Sequence, residues 1–262
     1  MIGPLLAPLA RSVVRDGEAF VRLVVGDDGA LRPRLLPAEQ VDATLTRDLG
    51  GGRRIIAGIE FGPDDEVEAF HVLPEAPGGP MPQMSLAAQR VPAADAIHIF
   101  DPLFPGQVRG ISWLSPVLLK LREREDLSDA ALIQQKTAAT MSAFVTDDDG
   151  GLGGFTGTRS GDDLEVALEP GRINYLPAGS KVEFTETPNG IAADFLRAVD
   201  REIAAGAGVT YEQLTGDMAE ANYSSARVSL LEFRRRVQML QRALIEGQFL
   251  RPLWRRWVDV QA

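Results

Sequence analysis

The stretch from Tyr223 to Val258, YSSARVSLLEFRRRVQMLQRALIEGQFLRPLWRRWV, constrains this chain more than any other. Ala226, Leu230, Phe233, Val237, Leu240 and Leu244 recur at alternating steps of four and three, so they share one face of a helix. The same spacing leaves Arg234, Arg235, Arg236 and Arg242 mostly off that seam. A helix of this kind packs along one side and offers cations on the other. No catalytic device has this form.

The charge around it is unevenly shared. The whole chain of 262 residues carries −10. From Tyr223 to the end, eight Arg stand against Glu232, Glu246 and Asp259, giving +5, so residues 1–222 carry −15. One reading is an ordinary acidic surface with one basic helix. The sharper one is a segregated field in which the basic helix meets an anionic partner. An acidic body argues against broad adhesion to nucleic acid, which needs clustered cations.

Apolar content of 45% and charged content of 24% belong to a soluble globular chain with enough core for one large domain or two modest ones. The absence of cysteine excludes disulfides, thiolate metal sites and a cysteine nucleophile. No apolar run approaches the roughly 18 residues that span a bilayer, so no membrane partner is expected. The opening MIGPLLAPLARSVVRDG has no basic leader and is interrupted by Pro4 and Pro8, so no signal peptide is expected. Asn222-Tyr223-Ser224 matches a glycosylation acceptor, which without a secretory signal is chance.

Along the chain, residues 5–14 suggest a short amphipathic helix ending near Gly17. EAFVRLVV and ALRPRLL flank an Asp-Gly turn and predict a hairpin. RRIIAGIEF and EVEAFHVL around GPDD predict a second hairpin at 53–73, and AADAIHIF at 93–100 one more strand. PEAPGGPMPQM is a loop. An antiparallel sheet with a covering helix is therefore expected over roughly 1–110.

Ser115-Pro116 marks a helix start. The 29 residues from Val117 to Val145 contain neither Gly nor Pro, so the helix should run to about Ser142 before DDDGGLGGFTG breaks it. A glycine-rich, strand-like interlude follows, with turns at Pro170-Gly171 and Pro177-Ala178-Gly179. Ile191, Phe195, Val199 and Ile203 recur every four residues and predict a second helix over 191–205, with Gly206 and Gly208 at its end. The last helix should start near Ser224 or Ser225. A small β unit held between two helices suits an assembly element better than a pocketed enzyme.

The sequence carries no recognisable active site. His71 and His98 both fall in predicted strands, with no second ligand at metal spacing, and read as structural or surface residues. There is no G-x-S-x-G elbow. The cluster Gly150, Gly151, Gly153, Gly154 and Gly157 fits neither dinucleotide nor P-loop spacing and lacks a lysine, so it reads as a loop. Asp64-Asp65-Glu66, Asp147-Asp148-Asp149 and Asp162-Asp163 lie in predicted turns without EF-hand spacing. Paired carboxylates for glycoside hydrolysis have few sugar platforms at 6% aromatic content. No catalytic residue, cofactor or metal is expected. In Trp254-Arg255-Arg256-Trp257 the two indoles, three apart, are expected to pack inward with the arginines outward, in preference to a stacking site for bases.

Several segments taken together resemble the lambda-type phage portal proteins: DGEAFVRL (16–23), FDPLFPGQVRGISWLSPVLLKLRE (100–123), ALIQQKTAATMSAFV (131–145), LEPGRINYLPAGSKVEF (168–184), YEQLTGDMAEANYSSARVSLLEFRRRVQMLQ (211–241) and FLRPLWRRWV (249–258). The most specific are P-G-Q-x-R-G-x-S from Pro105 to Ser112, L-T-G-D from Leu214 to Asp217, and the N-Y-S-S-A-R helix start. The resemblance implies an α+β portal fold: a partial wing sheet with helices over 1–112, a stem helix over 113–142, a β clip over 143–190, a returning stem helix over 191–208, and a loop and long wing or tunnel-side helix over 209–262, with no crown. Family members are usually longer, so the chain is expected to be truncated at both ends.

The resemblance further implies a non-enzymatic subunit of a ring of about twelve at one capsid vertex. Double-stranded DNA would pass through such a ring during packaging and ejection. Its partners would be other copies of itself, the terminase large subunit, head-completion or connector proteins, and capsid and scaffold proteins. Its location would be the virion, and the host cytoplasm during assembly. Twelve acidic subunits would carry about −120, a wall past which DNA, with one charge per roughly 1.7 Å, slides without sticking. Arg227, Arg234, Arg235, Arg236 and Arg242 are the candidate subunit-contact or DNA-facing residues. The alternatives are a DNA-binding or head-assembly module of a decayed prophage that forms no functional ring, and a carboxylate hydrolase.

Overall fold

The computed structural model describes residues 3–76, 87–139, 143–146, 158–160, 163–165, 173–176, 193–219 and 223–262. Two compact units are present, one of Met1–Val117 with Ala205–Ala262 and the other of Leu118–Ala204. Helices and mostly antiparallel strands are both well represented, which is the expected α+β class.

The first unit opens with helix α1 (Gly3–Asp16), which ends at Gly17, where φ is +86°. Strands β1 (Glu18–Val25) and β2 (Leu31–Leu36) form the expected hairpin, and β8 (Ala96–Phe100) pairs on the other side of β1, giving the order β2-β1-β8. A second sheet, β3 (Arg47–Gly50), β4 (Arg53–Ile56), β5 (Ile59–Phe61), β6 (Val67–Val72) and β7 (Gln89–Pro92), is antiparallel in chain order. The single strand expected over RRIIAGIEF is in fact two. Ala57 and Gly58, at φ 47° and 81°, make a two-residue turn that pairs Ile56 with Ile59. A Cβ at Gly58 would also collide with the Asp42 backbone, so glycine is required there.

Strand β1 separates two apolar clusters by its period of two. Ala19, Val21 and Leu23, with Ile97 and Ile99 of β8, face Leu9 and Val13 of α1 and Leu244, Phe249 and Leu253 near the C-terminus. Phe20 points the other way, into a cluster with Val41, which bridges to Val72, and with Ile59, Phe70, Val72 and Val91 of the second sheet. The expected single sheet with one covering helix is therefore two sheets with helices on the far side of the first.

The C-terminal helix begins at Tyr223, one residue before the expected start, and is not a uniform α-helix. Its segments are α5 (Tyr223–Leu240), a π-helical stretch over Gln241–Leu250, and α6 (Arg251–Gln261). In the π stretch backbone N–H groups reach five residues back, as Arg251 does to the Glu246 carbonyl. Buried positions then step from Leu244 by five to Phe249 and by four to Leu253. The wide turns sit immediately before Pro252, whose ring would crowd the carbonyl four residues back in a tighter α-turn. They also aim Gln248 at the sheet, where its Oε1 accepts the Phe100 N–H at 3.0 Å.

In the second unit, α2 (Leu118–Ala139) starts two residues after Pro116, because Ser115 and Val117 are taken up in turns to Ser112 and Leu114. Strand β9 (Ala143–Thr146) pairs in parallel with β12 (Ile173–Leu176), and β10 (Thr158–Ser160) antiparallel with β11 (Asp163–Glu165). The glycine cluster at 150–157 lies outside the described residues, as do Asp147 to Asp149 and the turns at 170–171 and 177–179. Helix α3 (Ala193–Ala207) returns the chain and ends at Gly208, with φ +70°, and a short helix α4 (Tyr211–Thr215), capped by Thr210 and Gln213, follows. Arg124 Nε donates to Asp200 at 2.8 Å and Lys120 pairs with Glu202, tying α2 to α3. Ile203 is buried as its period implies, whereas Phe195 is 53% exposed.

Candidate assembly surface

The segment from Pro105 to Ser112 is a latch. Gly106, at φ +81°, turns the chain, and Gln107 braces the turn by accepting the Leu103 N–H at 2.7 Å and donating to the Arg109 carbonyl at 2.8 Å. Arg109 then reaches inward, with its Nε 2.8 Å from Glu18 and further donation to the carbonyls of Ala38, Val41 and Ala57. Its guanidinium lies over the Phe20 ring at 5.2 Å. Gly110 crosses Gly17 so closely that a Cβ on either would overlap the other strand's backbone. Ser112 closes the crossing with a hydrogen bond to the Val14 carbonyl. One arginine thereby fastens strand β1 to the loops of the second sheet.

Glu18 is the acceptor in this latch, buried to 3% exposure. Burial pushes its pKa up, but hydrogen bonds from His98 and Arg109 and the Gly110 N–H outweigh that and leave it lowered. His98 stacks between Phe20 and Phe100 at 4.2 and 4.5 Å. Burial lowers its pKa against the raising contact with Glu18, so the neutral ring donates from Nε2 at 2.8 Å. A second buried carboxylate, Glu60, accepts from Arg90, His71 and Arg53 at 2.8, 3.0 and 2.6 Å. Arg90 holds its pKa down most, burial opposes, His71 and Arg53 add, and the result is about 2. Each histidine thus braces a buried glutamate.

A groove of about 530 Å³ runs between α1 and the last helix, lined by Leu6, Ala10, Val14, Val237, Leu240 and Ile245 among others. Glu246 is its one ionisable lining residue, so it offers no acid–base pair. No group of His, Asp or Glu among the described residues could hold a metal ion. No helix among the described residues is long and apolar enough to cross a membrane.

What the molecule does present is uncovered helix. Arg227, Arg234, Arg235 and Arg242 are exposed and make no hydrogen bond or ion pair among the described residues. Arg236 differs: it is exposed, but its Nη1 donates to the Gly208 carbonyl at 3.1 Å. The apolar seam on the same helix is only half used. Leu240 and Leu244 pack into the core, while Leu230 is 40% exposed. Trp254 and Trp257, expected inward, are 63% and 43% exposed and stack on each other at 5.0 Å. The π stretch rotates the following turn so that Leu253, not an indole, enters the core. Sequence reading missed this rotation; Gly247 inside a helical pattern and Pro252 five residues on were the only signals.

The family model for the lambda family of phage portal proteins matches residues 3–241. The chain is 26% identical over 233 residues to a probable portal protein of Halomonas phage phiHAP-1, covering 85% of this chain and 45% of that protein. It is 26% identical over 246 residues to portal protein B of Escherichia phage lambda, covering 83% and 46%. Against the portal protein of Escherichia phage N15 it is 25% identical over 213 residues, covering 71% and 40%. The chain therefore spans just under half the length of the curated relatives it matches. A match that runs from α1 to the end of α5 places the chain in the lambda family of phage portal proteins.

Proposed function

We propose that this chain is a non-enzymatic portal subunit, and that copies of it join side by side into a ring through which double-stranded DNA passes. The observation that carries the reading is α2. Over its 22 residues no described side chain is buried, and Leu118, Leu119, Leu121, Leu132 and Ile133 stand exposed, Leu119 at 77%. A helix about 33 Å long with uncovered leucines is a surface awaiting a partner, since monomeric proteins rarely leave such a stripe to water. Within this reading residues 113–142 and 191–208 are the stem helices, 143–190 the clip, and 1–112 with 209–262 the wing and tunnel-side helix.

Arg227, Arg234, Arg235 and Arg242 contact acidic surfaces of a neighbouring copy, because a fixed cationic ring against DNA would brake its transport. Arg236 is committed to Gly208 within its own copy. Terminase, connector, capsid and scaffold proteins are the external partners, and the capsid vertex is the location. Replacing Arg234 and Arg235 with Gln weakens assembly while leaving the monomer folded. Normal rings with altered DNA passage would assign the arginines to DNA instead. The monomer binds a short duplex no tighter than about 10 μM at physiological salt, and nanomolar binding would favour the nucleic-acid module.

A further inference from the structure

Two helix faces in this chain are uncovered and complementary. On α2, Leu118, Leu121, Glu125, Asp129 and Leu132 follow steps of three and four and so lie along one face. All five are exposed. The opposite side of α2 carries Lys120 and Arg124, which are satisfied by Glu202 and Asp200 of α3. Of the acids on α2, Glu125 and Asp129 lie on the leucine face, with Arg122 and Lys136 beside them, and neither acid has a partner among the described residues. The face is aliphatic, with two open carboxylates one turn apart.

On α6, Arg251, Trp254, Arg255 and Val258 also share one face, opposite the buried Leu253. All four are exposed, and neither arginine has a hydrogen bond or ion pair among the described residues. Arg256, by contrast, is held by Asp95 at 2.6 Å. The face is aromatic and cationic, and exposed Trp beside Arg is the composition that anchors protein interfaces. Its cations are four residues apart, as are the carboxylates of Glu125 and Asp129, which on two helices are matching intervals of about 6 Å.

We infer that α6 of one copy packs on the uncovered face of α2 of the next copy, with Arg251 and Arg255 paired to Glu125 and Asp129 and with Trp254 and Val258 covering the leucines. This rests on the ring reading and gives it a defined contact. The two faces are different surfaces, so the contact is head-to-tail, the kind that propagates from copy to copy and closes into a ring. Nucleic acid is the lesser candidate for the α6 face. It would leave α2 unexplained, and Trp254 already spends one ring face on Trp257.

The test uses two charge-reversed variants of the whole chain, R251E/R255E and E125R/D129R, checked for folding by circular dichroism. All four positions are exposed, so both variants fold. Each alone assembles at least ten-fold less than wild type in native mass spectrometry at equal concentration. Mixed one to one they assemble again, with the two variants in equal number, because every α6–α2 contact is then between opposite charges. Full assembly by either variant alone, or no rescue on mixing, overturns the contact. A variant that assembles normally but loses duplex binding assigns the α6 face to nucleic acid. A mixture that stops at one-to-one pairs keeps the contact and removes the ring, which separates the failure of this inference from that of the reading beneath it.

Discussion

Arg109 and Glu18 show how a charge can be buried without being stranded. Glu18 receives the guanidinium, the His98 ring and a backbone N–H, while the remaining Arg109 donors go to three carbonyls. Arg109→Ala leaves a buried carboxylate without its cation, and a loss of about 3–5 kcal/mol in urea unfolding is expected. The paired change R109M/E18L recovers part of that loss, since no buried carboxylate is left without its cation, while His98, the Gly110 N–H and three carbonyls still lose their partner. Glu60 sets a pH dependence. Its folded pKa of about 2 lies below the ordinary 4.5, so the folded state binds fewer protons between those values. Its stabilisation is complete above pH 4.5 and is lost as pH falls toward 2. Glu60→Gln therefore costs about 1–3 kcal/mol at pH 7. The gap from wild type narrows when denaturation is repeated at pH 3.

At the scale of elements, the π stretch decides which side chains of the last helix reach the core. Phe249 is fully buried and Leu253 nearly so, whereas Leu230 on the expected seam is 40% exposed. Phe249→Ala should cost about 3–5 kcal/mol in chemical denaturation and Leu230→Ala about 0.5. A uniform α-helix would instead make Gln248, four beyond Leu244, the costly position. The same segment marks where sequence reading runs out. Helix α1, the first hairpin, and the existence of α2, α3 and α5 follow from local periodicity and Gly punctuation, and those signals sit in the sequence itself. The split of RRIIAGIEF turns on Ala57 accepting positive φ, which few non-glycine residues do, so Ala-Gly did not read as a turn. The outward indoles depend on a one-residue slip in helical register that no apolar period encodes. As for the candidate surface, the arginines of α5 were legible as an off-seam flank, but the commitment of Arg236 to Gly208 was not, because it joins residues 28 apart in sequence. The motif from Pro105 to Ser112 was legible as a family mark and not as a latch, since its partners lie up to 98 residues away.

For the whole molecule, the uncovered material is concentrated on helices: the leucines of α2, the arginines of α5 and the indoles of α6. The buried polar groups, in contrast, are closely satisfied, with Arg256 Nε the single orphan among the described buried side-chain atoms. In the proposed reading, the faces that such a chain leaves open are covered by another copy of itself, which would supply the matching charge. The most direct measurement is native mass spectrometry of the purified chain with negative-stain imaging, at micromolar concentration and physiological salt. The account predicts closed rings of about twelve copies with a central opening. A chain that stays monomeric under those conditions, with its α2 leucines still open to water, would contradict it.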